Sequence, residues 1–362
     1  MRVAIACCGL EHVRRGFESA ARELFNALSG QVDVILFKGS GPRKTNEIVV
    51  PCLRRDFLMR FMNPQRAFYW EQITFAIGLL PYLFFKKIDV VHFSEGNLGN
   101  ALTRFLRWTR SPIKLLLWNG GPLSPQHFKR DLFIQQVSQE GLDLALEYGI
   151  EPARMHLIPY GLAPETLVID APREAARRRL GFPEDAFLVL SLAALNKEHK
   201  RLDYLIQEVA EAGDKSLFLC MAGEPSNETE ELKELAQTLL PGRHRFMTVP
   251  RERVPELLAS ADLFVHAALA EGFGMVLLEA CAAGVPLVCA DKPHFRWVLG
   301  DAALYIDMTA AGALSSTIRR LANDQELLAR QSKLGVARVD GYFSWKVLLP
   351  QYLEMYEVVC KS

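Results

Sequence analysis

Residues 262–292 read DLFVHAALAEGFGMVLLEACAAGVPLVCADK. Leu263 to Ala267 is an apolar run of strand length, and the loop after it ends Glu271-Gly272-Phe273-Gly274. Met275 to Ala283 suits a helix that Gly284 stops, and Val285 to Ala290 is a second apolar strand. The loop of such a strand, loop, helix, strand unit has the parts an anion site needs. Two glycines take away the Cβ atoms that would hold a ligand off the backbone. The free N–H groups that open the helix, from Met275 and Val276 onward, point outward at the positive end of the dipole. A diphosphate fits there.

Glu279 stands between Leu277-Leu278 and Ala280-Cys281-Ala282-Ala283, on a helix that is apolar nearly all round. Glutamate is almost never fully buried without a partner, and the hydroxyls of a ribose or a hexose are suitable donors to it. The alternative for Glu271 and Glu279 is a solvated helix face, with Glu271 favoured near the N-terminus by the dipole.

The two glutamates, seven residues apart with GFG in the gap and followed by EACAAGVPLV, resemble the E-x7-E donor motif of retaining family 4 glycosyltransferases. That resemblance implies an α/β protein of the GT-B type: two Rossmann-like domains facing a central cleft, with a C-terminal helix crossing back to the first. It also implies transfer from a nucleotide-diphosphate sugar to an acceptor hydroxyl, with retention and without a divalent metal or other cofactor. The segment LNKEHKRLDYLI, residues 195–206, is similar to the family passage whose arginine and lysine grip the phosphates. Lys200 matches the lysine, while Leu195 stands at the arginine position, leaving Lys197 or Arg201 as substitutes. Taken alone, that charged run is more often a solvated loop; its place directly after the strand Phe187 to Ala193 argues for the crevice lined by strand ends. By the resemblance Lys200, Arg201 and Glu271 carry the chemistry, and Lys197, Val249, Gly272, Phe273, Gly274, Met275, Val276 and Glu279 bind the donor.

Alternation elsewhere agrees with two domains. Val3 to Cys7, Val32 to Phe37, Ile88 to Phe93 and Lys114 to Trp118 are continuous apolar runs suited to a parallel sheet buried on both faces. Phe17 to Leu28 is a helix with apolar positions at Ala20, Ala21, Leu24, Phe25 and Leu28. The segment RGFESAARELFNAL is similar to the loop and helix with which the family begins. This implies that Gly16, Phe17 and Glu18 face the cleft near the acceptor, with Arg15 in place of a family glycine. Strand ends carry His92, Ser94 and Glu95, and then Asn119-Gly120-Gly121; the family usually has a histidine where this chain has Asn119, a further cleft residue. Residues 160–175, with Pro164 and Pro172, read as a linker, and the alternation restarts at Phe187. Expected boundaries are 1–162, 163–340 and a closing helical segment 341–362.

Lysine plus arginine equals aspartate plus glutamate, 42 each, so no global field recommends nucleic acid or an anionic membrane as a partner. The seven cysteines follow neither metal spacing nor a small secreted framework and read as reduced core thiols of a cytoplasmic protein. The first residues, MRVAIACCGL, read as a buried strand, not a signal peptide. Asp56 to Lys87 is unusually aromatic, with Phe57, Phe61, Trp70, Phe84 and Phe85 among Arg60, Arg66, Lys86 and Lys87. It reads first as core helices flanking a sheet and second as an interfacial surface for peripheral attachment at the inner membrane face. Expected partners are thus a nucleotide-sugar donor and a glycan, lipid-linked or small-molecule acceptor. An epimerase or phosphorylase on a similar fold, and a non-catalytic nucleotide-sugar binder, are the competing functions.

Overall fold

The computed structural model describes residues 1–13, 16–120 and 132–362; Arg15 and Gly121 lie outside them. The chain divides into two units, Met1–Leu162 with Trp345–Ser362, and Ala163–Ser344.

Unit 1 runs β1 (Arg2–Cys7), α1 (Gly16–Leu28), β2 (Asp33–Lys38), β3 (Glu47–Val49), α2 (Arg55–Leu58), α3 (Pro64–Phe85), β4 (Val90–Phe93), α4 (Gly96–Trp108), β5 (Lys114–Asn119), β6 (Phe133–Gln136), α5 (Gln139–Glu147) and β7 (Met155–Leu157). Unit 2 runs α6 (Arg173–Leu180), β8 (Phe187–Leu192), α7 (Leu202–Glu211), β9 (Leu217–Ala222), α8 (Thr229–Leu239), β10 (His244–Met247), α9 (Val254–Ser260), β11 (Leu263–His266), α10 (Met275–Ala282), β12 (Leu287–Ala290), α11 (Pro293–Leu299), β13 (Leu304–Ile306), α12 (Ala313–Ala322) and α13 (Gln325–Tyr342). The last helix, α14 (Trp345–Lys361), packs against β4, β5 and α1 of unit 1.

Each unit holds one parallel sheet among the described residues, in the orders β3-β2-β1-β4-β5-β6-β7 and β10-β9-β8-β11-β12-β13. Both are doubly wound. Strands between two helical layers bury both faces and so lose the polar alternation of half-exposed strands: all of β9 is buried, as are Val3 to Cys7 of β1. The order reverses between β1 and β4 in unit 1 and between β8 and β11 in unit 2. At such a point successive crossovers go to opposite faces of the sheet, which opens a crevice beyond the strands' carboxyl ends.

Two expectations change at the level of elements. The linker contains a short helical turn at Pro164–Thr166 and gives way at Arg173 to α6, which periodicity did not reveal. Within Asp56 to Lys87 the core reading describes only one face of α3. The inner face of α3, with Ala67, Phe75, Ala76, Leu79 and Leu83, is core. Its outer face leaves Tyr69, Trp70, Ile77, Phe84 and Phe85 exposed.

Candidate active site

The reversal of strand order in unit 2 brings together the loop after β8, which carries Lys200, and the loop after β11, which carries Glu271. The first loop is held at its base by close backbone approach. A Cβ on Gly223 would lie 1.8 Å from the Ala193 carbonyl oxygen, so only glycine allows the end of β9 to pass there. Asn196 Oδ1 then accepts the N–H groups of His199 and Lys200 at 3.2 and 2.9 Å, a local turn that aims Lys200.

Lys200 Nζ forms a direct ion pair with Glu271 Oε2. His266, the last residue of β11 and almost wholly buried, places Nε2 3.3 Å from the same oxygen, a close electrostatic contact rather than an aligned hydrogen bond. Burial by itself would raise the Glu271 carboxyl, but His266 and Lys200 overcome it and hold the group down to about 2. The carboxylate is therefore ionised throughout the physiological range.

Three residues on, Gly274 adopts φ +89° as the N-cap of α10. A side chain there would be strained, and its Cβ would meet Leu277 Cδ1 at 2.8 Å. The left-handed residue turns the chain so that the amides of Met275 and Val276 open the helix beside the Glu271 loop. Phe273 is buried edge-on to Phe343, with ring centroids 6.1 Å apart, and its carbonyl accepts His294 Nε2–H at 3.2 Å. These contacts leave the loop little freedom.

Glu279 is 4% exposed on α10, and Arg251 is its ion-pair partner at 2.7 Å. The solvated-face reading of this glutamate is thereby corrected. Arg251, passed over in the sequence because RER following Pro250 looks like any solvated turn, is the residue that makes burial of the carboxylate tolerable. Val249, half-buried, precedes the same turn.

The three expected cations have different partners. Lys197 Nζ pairs with Glu231 of α8, and its N–H donates to Glu228 at 2.8 Å, both turned toward α8. The Arg201 guanidinium donates to the Met308 carbonyl at 2.7 Å and lies 4.6 Å over the Tyr204 ring. Lys200 alone of the three is paired with the Glu271 loop. Leu195, where the family has arginine, is 2% exposed, and its carbonyl accepts the Ser226 and Thr229 hydroxyls at 2.6 and 3.0 Å. The side chain at that position is core.

In unit 1 the corresponding strand ends gather another polar cluster. Gly16 opens α1, the Phe17 ring stands edge-on to Trp118 at 5.5 Å, and Glu18 is buried beside Gly9, where a Cβ would lie 2.5 Å from its Oε1. Asn119 is buried and donates Nδ2–H to Gln136 Oε1 at 2.7 Å. Sequence reasoning named Glu95 as a strand-end residue without a role, and missed Glu71. Glu95 accepts the Cys8 N–H at 3.0 Å, and burial raises its carboxyl. Glu71 is fully buried, yet His12 at 2.8 Å and the N–H of Arg55 at 2.8 Å, with the Arg55 guanidinium, overcome desolvation and lower its carboxyl.

The chain is 31% identical over 346 residues to mannosylfructose-phosphate synthase of Agrobacterium fabrum, a match covering 85% of this chain and 76% of that protein. Residues 172–336 match the family model of glycosyl transferases group 1. The chain belongs to that family. D-inositol 3-phosphate glycosyltransferase of Geodermatophilus obscurus is 29% identical over 246 residues, 64% of this chain and 53% of that protein. In solved structures, sucrose-phosphate synthase of Thermosynechococcus elongatus superposes with a TM-score of 0.80 at 18% identity, covering 98% of both chains. Anabaena HepE in complex with UDP and glucose gives 0.77 at 17% identity over 99% of both. The likeness spans both units, so the fold is GT-B, and the glycosyltransferase is built as two Rossmann-like units.

Proposed function

We propose that this glycosyltransferase binds a nucleoside-diphosphate sugar on unit 2 and transfers the sugar, with retention and without a divalent metal, to an acceptor hydroxyl. The observation that carries the proposal is the Lys200–Glu271 pair where the strand order reverses, beside the opening amides of α10. A lysine held by a carboxylate in the ligand-free protein is a charged, aimed cation. The donor's phosphates take over as its partner, and Glu271 is released toward the hydroxyls of the donor sugar.

In the transfer step the bond from the anomeric carbon to the phosphate oxygen breaks and a bond to the acceptor oxygen forms on the same face. The acceptor proton passes to the departing phosphate oxygen. Lys200 and the amides of Met275 and Val276 stabilise the charge that grows on the diphosphate. Glu279, paired with Arg251, accepts the ribose hydroxyls. The seven free cysteines support a cytoplasmic location, and no helix among the described residues is long and apolar enough to cross a membrane.

The test is nucleotide release from a panel of UDP-, GDP- and ADP-sugars, preceded by thermal-shift measurements with the free diphosphates. A ligand at a hundred times its Kd adds about 2.7 kcal/mol of stability. Turnover that disappears in Glu279→Ala supports the proposal. Binding of a diphosphate with no turnover of any donor leaves a non-catalytic binder and defeats it.

A further inference from the structure

Two side chains meet the Glu271 carboxylate, and they differ in how freely they leave it. Lys200 reaches Oε2 from a loop, at the end of a flexible four-carbon stem. His266 stands on β11 itself, in register with Cys289 of β12, and its side chain is 2% exposed. The Phe295 ring of α11 lies edge-on to the imidazole, with centroids 5.8 Å apart. One partner is mobile, and the other is built into the sheet.

A histidine kept for packing alone finds a hydrogen bond in the core, because a buried ring nitrogen without one is destabilising. His266 Nε2 is buried and makes no hydrogen bond among the described residues. At 3.3 Å from Glu271 Oε2 it is within reach of one, but it is not aligned for it while Lys200 holds that oxygen. Both contacts fall on Oε2, which leaves Oε1 as the acceptor for a ligand hydroxyl.

Donor phosphates that draw Lys200 away would leave Glu271, 21% exposed at the side chain, without its ion-pair partner and free to rotate. We infer that His266 is the positioning residue for this handover: its Nε2–H takes the oxygen that Lys200 gives up and keeps Oε1 directed at the donor sugar. The inference rests on the reading of unit 2 as a nucleotide-sugar site. His266 itself touches no substrate. It acts through Glu271, and so on the sugar and not on the nucleotide.

The experiment compares His266→Leu, His266→Gln and His266→Asn on a donor that the wild type turns over. His266→Leu removes both ring nitrogens and suits a buried strand. His266→Gln puts an amide nitrogen where the imidazole Nε2 was, and His266→Asn buries the same amide one bond short of it. His266→Leu and His266→Asn should lose about 10² in kcat/KM for the donor, the scale of a slight misplacement at the reacting centre. The Kd of the matching free nucleoside diphosphate, read by calorimetry, should stay at the wild-type value. His266→Gln should recover most of the loss. In a Glu271→Gln background His266→Leu should have no further effect, because the two residues act as one unit.

The two amide substitutions decide the matter even where His266→Leu fails to fold, since they differ only in reach. Equal kinetics for His266→Gln and His266→Asn overturn the inference. So does an equal loss of affinity for the free diphosphate, or additivity with Glu271→Gln, either of which makes His266 a packing residue. Those outcomes leave the sugar-transfer reading intact. A wild type that turns over no donor defeats that reading, and the inference falls with it.

Discussion

Replacing Glu271 by glutamine keeps the size of the side chain and removes the charge that Lys200 and His266 surround. A carboxyl held at about 2 instead of its ordinary 4.5 corresponds to about 3 kcal/mol of interaction in the folded state. That figure is an upper bound on what the substitution costs, because the amide oxygen still accepts from Lys200. For unit 2, residues 163–344, it lowers the melting temperature by roughly 5–10 °C at pH 7. Because the native carboxyl titrates lower than the unfolded one, the contribution is complete above pH 4.5 and is lost as pH falls through about 2. At pH 3 roughly 1.4 kcal/mol of it remains. The gap between wild type and Glu271→Gln should thus narrow by about 2 kcal/mol between pH 7 and pH 3, while acid-labile groups common to both proteins cancel. Denaturation melts at a series of pH values read this directly. With Lys200 relieved of its carboxylate, the free nucleoside diphosphate should stabilise the variant at least as much as it stabilises wild type, although transfer falls. A stability gap that does not change with pH would refute the electrostatic account of this pair.

Lys200→Met should lower turnover by about 10²–10³ with a smaller change in donor affinity, as for loss of one group that stabilises developing charge; steady-state kinetics separate the two. Glu279→Ala should weaken nucleotide binding by roughly tenfold or more, from the loss of charged hydrogen bonds to hydroxyls. In a double-mutant cycle with Arg251→Ala the two changes should be non-additive, and additivity would detach Arg251 from the site. Gly274→Ala should cost about 1–2 kcal/mol from its left-handed backbone and displace Leu277, seen as a lower melting temperature together with reduced turnover.

The shape of the Glu271 loop was legible because its signals are local: glycine at a left-handed turn, a helix opening behind it, and a glutamate among apolar neighbours. What escaped depends on pairing over distance. Arg251 acquires meaning only when Glu279, on another element, comes within 2.7 Å. Nothing in PRERVP separates it from Arg253, whose carboxylate partner, Glu256, is one turn away at the surface. His266 was open to notice, since a lone imidazole closing an apolar strand at its carboxyl end is an unusual choice. α6 was hidden because an arginine shares its inner face with only Ala176 and Leu180: Arg177 is buried and donates to the carbonyls of Ser260, Glu184 and Ala186 at 2.7–2.9 Å. A helix anchored by such a fan of bonds shows too short an apolar period to stand out. The exposed face of α3 failed for the opposite reason, since a helix apolar on every side does not say which side meets the core.

The route of the chain bears on how the protein is made. Unit 2 is continuous in sequence, whereas unit 1 leaves off at Leu162 and is resumed only by α14. On that returning helix Tyr356 meets the His92 imidazole at 2.8 Å, Tyr352 takes the Gln135 amide at 2.8 Å, and Trp345 lies over Gly161, where a Cβ would come within 2.8 Å of its ring. A ribosome therefore releases the first-begun unit with its sheet ready and its closing helix still unsynthesised, and the second-begun unit can finish first. An isolated unit 1 would need residues 345–362 grafted behind Leu162 to cover the side chains that α14 seals.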